Sequence, residues 1–366
     1  MSKEIFQIIE KLNSLPPDDR AILATVVDVV GSGYRRPGAR MLIDKNGYGI
    51  GTVSGGCLEA DVLERAKKVL ESGAPTVITY DTTEDENSVF GLGMGCRGVV
   101  RILLETVSTD SFIFNYVSDL LTDRRPFTLA TLISSNHGKA PGQRMYFDEY
   151  GMSSSDFSDA ETTELLSKIR LAFVERQTGI ENFSFGEVFI ETVRPPLNLL
   201  LFGAGYDALP VVKFAKEIGW RISVIDHRPA YANAERLPEA DKIFKANVQD
   251  LDDGLFEDEN SAAVIMTHNY DRDREILPRL LKSNFLYVGA LGPKKRTEKI
   301  LAEAGENFSS EQLARLHAPV GLDIGANTPE AIALSIVAEI QAVLADREGG
   351  FLRARKGSIY DRKHNV

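Results

Sequence analysis

The sequence predicts an α/β protein in which a C-terminal parallel-sheet domain follows an α+β region built by internal duplication. Three observations predict it. The stretch "ETVRPPLNLLLFGAG" breaks the chain near Pro196 and restarts it as an apolar strand running into glycines. From there strand and helix patterns alternate, the order that yields a parallel sheet. Upstream, two segments repeat one another: "LATVVDVVGSGYRRPGARMLIDKNG" from Leu23 and "LATLISSNHGKAPGQRMYFDEYG" from Leu129.

The N-terminal "MSKEIFQIIEKLNSL" reads as a short amphipathic helix. It has neither the apolar core nor the cleavage site of a signal peptide. Each repeat copy opens with Leu-Ala-Thr, carries Pro-Gly-x-Arg-Met and closes alike, as "VVRILLETV" at 99–107 and "EVFIETV" at 187–193. Each reads as a strand, a Pro-Gly turn, a second strand, a helix and a closing strand. The predicted domains are 1–108, a degenerate second copy at 109–194, a nucleotide-binding type domain at 195–346 and a basic tail at 347–366.

The copies differ in their loops. The first contains Ser54-Gly55-Gly56-Cys57 and Gly95-Cys96-Arg97, and these hold the only two cysteines of the chain. The second has "MSSSDFSDA" and "ENFSFGEV" at the corresponding places. Cys57 opens the predicted helix "CLEADVLERAKKVLESG", where the positive end of the helix dipole favours thiolate over thiol. Cys96 sits in a loop with Gly91, Gly93, Gly95 and Gly98, and Arg97 adds a cation beside it. Glycine loops can cradle an anion with backbone N–H groups, and thiolates suit soft metals and sulfur chemistry. The arginines Arg35, Arg36, Arg40 and Arg97 suit a phosphate. Together they point to an anionic ligand that carries a soft metal or sulfur. The plainer reading of each cysteine is a small buried hydrophobe.

In the C-terminal part, a strand at 197–202 enters Gly203-Ala204-Gly205, with Ala208 at the third fingerprint position. A helix follows to Ile218, with Gly219 as its stop, and a second strand ends in Asp226. An acid at that distance meets a ribose hydroxyl in a Rossmann-type dinucleotide site. Asp226 favours NAD over NADP, while Arg228, which can stack on a base or pair with a phosphate, blurs that choice. His268 and Asp271 in "MTHNYDRD" fall where a strand meets a ligand-side loop, so they are the candidate acid–base groups. Lys294, Lys295 and Arg296 open a further helix and read equally as an anion contact or a solvated turn. Asn327, Thr328, Pro329 and Glu330 make a good helix start.

The composition is that of an ordinary globular protein, 43% hydrophobic and 26% charged. A formal net charge of −11 argues against a general nucleic-acid binder. No apolar run approaches the roughly 20 residues of a membrane-spanning helix, so no membrane role and a cytoplasmic location are expected. Two cysteines are too few for a disulfide scaffold, and no zinc-type spacing is present.

These residues resemble the XdhC/CoxI family. "GSGYRRPGARMLI", "GTVSGGCLEADV" and "FGLGMGCRG" are similar to its N-terminal signature. "LFGAGYDALPVVKFAKEIGWRISVIDHRP", "THNYDRD", "YVGALGPKKR" and "PVGLDIGANTPEAIALSIVAEI" are similar to its Rossmann domain. The match spans roughly 20–106 and 196–345, and several long motifs in one order make it specific. The resemblance implies an accessory protein that binds molybdenum cofactor (molybdopterin), protects it during sulfuration and delivers it to a molybdenum hydroxylase apo-enzyme. It implicates Cys57 and Cys96 in cofactor binding, as ligands of molybdenum or as sulfur-handling groups. It also implies a nucleotide, NAD(P) or another, on the second domain. A cysteine desulfurase as a further partner and a homodimeric assembly are expected. One departure is Tyr206-Asp207, where the family carries a His-Val-like pair; an acid this close to the glycine turn works against a pyrophosphate. The alternative is an NAD(P)-dependent oxidoreductase with His268 or Asp271 beside the nicotinamide, which leaves the cysteine loops unexplained. A third reading is a nucleotide-sensing module without chemistry.

Overall fold

In a computed structural model, residues 2–16, 19–31, 33–81, 98–109, 111, 118, 122–305 and 307–356 are described. The chain divides into two compact units, one spanning Met1–Pro195 and the other beginning at Pro196. Among the described residues, no helix is long and apolar enough to cross a membrane.

The first unit begins with helix α1 (Ser2–Asn13). Strands β1 (Ala21–Gly31), β2 (Arg40–Ile43) and β3 (Gly49–Gly51), helix α2 (Glu59–Ser72), and strands β4 (Thr76–Asp81) and β5 (Gly98–Val107) follow. The second copy supplies β6 (Phe127–Ser135), β7 (Arg144–Asp148), β8 (Gly151–Ser155), α3 (Asp159–Glu175), β9 (Thr178–Phe183) and β10 (Gly186–Val193). The two antiparallel sheets have the same strand order, β3-β2-β1-β5-β4 and β8-β7-β6-β10-β9. Their registers also match. Thr25 pairs with Arg40 as Thr131 pairs with Arg144, and Leu23 pairs with Glu105 as Leu129 pairs with Glu191. The duplication read from the repeated motifs is thus a duplication of topology and register. Each copy holds two strands more than the sequence pattern suggests. The short β3 and β8 and the edge strands β4 and β9 carry too little apolar alternation to be read from pattern alone.

Side-chain alternation explains the layering. Along β1, Ile22, Ala24 and Val26 face α2, packing with Val62, Ala66 and Val69. Ala21 and Leu23 face the other way and join Leu129 and Tyr146 of the sister copy. In the second copy, Leu165 and Ile169 of α3 cover Ala130, Leu132 and Val188. Val27, Leu103, Ile133 and Phe189 then meet between the sheets. The unit is therefore a four-layer helix–sheet–sheet–helix stack. Because both faces of β1 are buried, its sequence is an almost continuous apolar run. Ile5, Ile8, Ile9 and Leu12 of α1 close the core beside both sheets.

The second unit comprises β11 (Asn198–Phe202), α4 (Ala208–Glu217), β12 (Arg221–Ile225), β13 (Lys242–Phe244), β14 (Ser261–Ile265), α5 (Tyr270–Lys282), β15 (Tyr287–Ala290), α6 (Lys294–Glu303), α7 (Ser310–Ala314), β16 (Leu316–His317) and α8 (Pro329–Leu344). All six strands are parallel, in the order β13-β12-β11-β14-β15-β16. Numbered within this unit the order is 3-2-1-4-5-6, that of a dinucleotide-binding Rossmann fold. Helices α4 and α8 cover one face around Leu199, Leu201 and Val224. Helices α5 and α6 cover the other around Leu200, Phe202 and Ile265. Thr328 accepts a hydrogen bond from the Ala331 N–H at 3.2 Å and starts α8.

Candidate functional site

In the first unit the candidate site is the connection between β3 and α2, residues 52–58. The equivalent connection in the second copy is shorter, residues 156–158, so the glycine–cysteine segment is an insertion into an otherwise repeated frame. Glu59, the first residue of α2, organises the longer loop. Its carboxylate accepts hydrogen bonds from the Ser54 N–H at 2.8 Å and from the hydroxyls of Ser54 and Thr52. Ser54 Oγ in turn accepts from the N–H groups of Leu58 at 3.0 Å and Gly56 at 3.2 Å. Burial opposes ionisation of Glu59, but the hydrogen bonds from Ser54 and Thr52 outweigh it and hold the carboxyl below its ordinary range. Ser54 is therefore a buried support, only 5% exposed, while Cys57 is exposed.

Gly56 has φ +109° with open space where a side chain would be. The Tyr34 ring lies over Gly55, 3.2 Å from where a Cβ would stand. A reachable thiol beside the open backbone of Gly56 suits one soft contact to a metal–sulfur group that brings its other ligands with it. Among the described residues, no group of three or more His, Cys, Asp or Glu could hold a bare metal ion. Gly95, Cys96 and Arg97 lie outside the described residues.

The structure gives Arg40 a different task from the phosphate contact expected of it. Arg40 is 8% exposed and pairs with Glu191 of the sister copy. Arg144, its counterpart, pairs with Glu105 in the reverse direction. Each arginine also donates to the carbonyl of the glycine two residues before it, Arg40 to Gly38 at 2.8 Å and Arg144 to Gly142 at 3.0 Å. Both glycines have positive φ, +89° and +102°. The repeated Pro-Gly-x-Arg-Met is thus a structural motif: the glycine turns the chain, the arginine crosses to the sister sheet, and the methionine fills the core under the helix. Glu105 and Glu191 escaped the sequence reading because a carboxylate in a strand reads as solvent-facing until a second sheet covers it.

In the second unit, a pocket of about 230 Å³ opens at the carboxyl ends of β11, β12, β13 and β14. Gly203 forms its floor with φ +111°, and a Cβ there would stand 2.4 Å from the Met266 carbonyl oxygen. Asp226 is buried at the end of β12. It accepts from the Ala204 N–H at 2.8 Å, and from the Arg228 N–H, Nε and Nη2 at 2.9, 3.0 and 2.7 Å. Burial alone would raise its pKa; the guanidinium and the amides bring it down to about 2. Arg228 also lies over the Tyr231 ring at 4.0 Å. Arg272, overlooked in the sequence, lines the same pocket and donates to Asn247 Oδ1 at 2.8 Å. His227 is pushed down by burial and then by the nearby Arg272 charge.

Beside Gly205, where a pyrophosphate would approach the start of α4, stands the carboxylate of Asp207. Its Oδ1 is 2.7 Å from the place of a Gly205 Cβ. Asp207 pairs with His268 Nε2 at 2.7 Å, and His268 holds a positive φ of +55°. The structure therefore brings His268 to the glycine turn, but not Asp271. Asp271 is 78% exposed on α5, 3.7 Å from Arg274. The buried acid of "NYDRD" is Asp273, which receives Arg296 at 2.6 Å and joins α5 to α6. That ion pair gives Arg296 a structural role, while Lys294 and Lys295 are exposed. At the β12 end of the pocket the Asp226 carboxylate is already engaged by Arg228 and the Ala204 N–H, and at the glycine turn the Asp207 carboxylate stands beside Gly205.

Residues 199–340 match the XdhC Rossmann domain, and residues 16–81, which include Cys57, match the XdhC and CoxI family. The chain is 33% identical over 327 residues to a Bacillus subtilis protein described as a probable xanthine dehydrogenase subunit, covering 89% of this chain and 94% of that one. This chain belongs to the XdhC and CoxI family. Another relative is the "Molybdenum cofactor insertion chaperone PaoD" of Escherichia coli, 24% identical over 331 residues, 90% of this chain and 85% of that one. A crystal structure from Bacillus halodurans, described as a xanthine dehydrogenase, superposes with a TM-score of 0.78 at 30% identity, covering 94% of this chain and 97% of that chain. The two family matches fall one in each unit, the first of them within the first repeat copy.

Proposed function

We propose that this XdhC-family protein is an accessory factor that holds molybdenum cofactor and passes it to a xanthine dehydrogenase-type molybdenum hydroxylase. The observation that carries the reading is the 52–58 insertion: an exposed thiol on a loop rigidly braced by buried Ser54 and Glu59, in only one of two otherwise matching copies. Family membership and the relative named as an insertion chaperone support the same class of role. Cys57 supplies a soft donor to the metal–sulfur part of the cofactor. Gly56 lets the ligand approach the backbone, with the Tyr34 ring beside it over Gly55. Its setting is the cytoplasm, where the thiol stays reduced, and a cysteine desulfurase is the expected source of sulfur for the bound cofactor. The Rossmann unit adds a nucleotide site.

The test is to purify the full chain after co-expression with the molybdenum cofactor pathway and to measure metal and pterin per chain. Retention near one equivalent is expected, falling severalfold in Cys57→Ala. Equal retention by Cys57→Ala removes the thiol role, and no retention by the unmodified protein removes the carrier reading.

A further inference from the structure

We propose that the pocket of the Rossmann unit selects a nucleotide phosphorylated on its ribose, as in NADP, over one with a free ribose diol, as in NAD. The inference rests on the nucleotide-site part of the reading above and on nothing at Cys57. In the fingerprint geometry the acid ending the second strand accepts the ribose hydroxyls. A carboxylate offers about four lone-pair sites. In Asp226 four donors already use them: the Ala204 N–H, the Arg228 N–H, and Arg228 Nε and Nη2. A ribose hydroxyl arriving there finds no acceptor unless Arg228 is displaced.

What the pocket offers instead is positive charge. Arg228 neutralises Asp226 and keeps Nη1 uncommitted among the described residues. Arg272, held by Asn247 through Nη1, has no carboxylate partner among the described residues. His227 stands 3.4 Å from Asp226 through Nδ1 and adds a further nitrogen. Two guanidiniums and an imidazole around one neutralised carboxylate match a phosphate monoester better than a diol. The Tyr231 face under Arg228 keeps that guanidinium from swinging into solvent.

The experiment is calorimetric titration of the full chain with NADP, NAD, adenosine 2′-phosphate and adenosine 5′-phosphate. Two charge-assisted contacts imply NADP binding about ten- to a hundredfold tighter than NAD. Adenosine 2′-phosphate should exceed adenosine 5′-phosphate in the same sense, and the gap should narrow with added salt. Arg228→Ala and, separately, Arg272→Ala should each reduce the NADP preference while circular dichroism reports an intact fold. NAD binding as tight as NADP overturns the preference and leaves a nucleotide site standing. Full preference retained in both variants overturns the roles of the arginines. Binding of none of the four ligands overturns the nucleotide site itself, and the molybdenum measurement on Cys57 stays independent of that result.

Discussion

Cys57 and Asp226 both stand out in the sequence as single residues, and in the fold they behave oppositely. Cys57 is exposed and packs against little, so Cys57→Ala should change unfolding free energy by no more than about 0.5 kcal/mol while removing the soft donor. A denaturant melt alongside the cofactor measurement separates the two effects. Asp226 is buried and tied to Arg228, with its pKa brought from 3.8 to about 2 in the folded chain. A depressed carboxyl stabilises the fold above its unfolded pKa, and that contribution disappears as pH falls through the folded value. Asp226 should therefore contribute about 2 kcal/mol above pH 4, lost between roughly pH 4 and pH 2. In Arg228→Ala the main donor that depresses Asp226 is gone. The acid limb of a stability-versus-pH curve for the Rossmann unit should then begin at higher pH than in the unmodified protein. An unchanged limb would refute the assignment.

At the scale of elements, a loop and a motif change meaning once their surroundings are known. The glycine–cysteine loop is legible as unusual, but its support is not. Glu59 reads in sequence as an ordinary first-turn acid suited to the helix dipole. In the fold it also gathers Ser54 and Thr52 and so fixes the backbone that presents Cys57. Glu59→Ala should cost about 1–2 kcal/mol through the lost hydrogen bonds and the Ser54 groups left unsatisfied. It should also weaken cofactor retention although Cys57 is intact; unchanged retention would show that the loop needs no bracing. The Pro-Gly-x-Arg turn runs the other way. Its arginine suggests a phosphate contact, and the crossing to Glu191 accounts for it instead.

Across the molecule, the largest structural consequence is the duplication. Two matching sheets face each other, and their apolar inner faces trap two reciprocal ion pairs, Arg40–Glu191 and Arg144–Glu105. Buried pairs of this kind contribute little net stability compared with well-packed apolar residues, yet leaving one partner alone strands a charge in the core. Arg40→Ala should thus destabilise the first unit by about 3–5 kcal/mol, whereas the joint change Arg40→Met with Glu191→Leu should cost far less. Chemical denaturation of the unmodified chain and both variants measures this directly. A small loss for Arg40→Ala alone would mean that Glu191 reaches water.

The Rossmann unit and the duplication are already written in short stretches of the chain. Gly203 at a strand end, the apolar run of β11 and the twice-written Pro-Gly-x-Arg-Met are local patterns, and their physical requirements act over a few residues. Cys57 is marked in the same way, because a thiol among glycines is conspicuous without any fold. Which charges face ligand and which face protein is settled only when the elements pack. Arg40, Asp226 and Asp273 each look available as written. Each is claimed by a partner at least one element away or, for Asp226, by an arginine two residues on. Burial and partner choice depend on which faces meet, and no short stretch of chain carries that information.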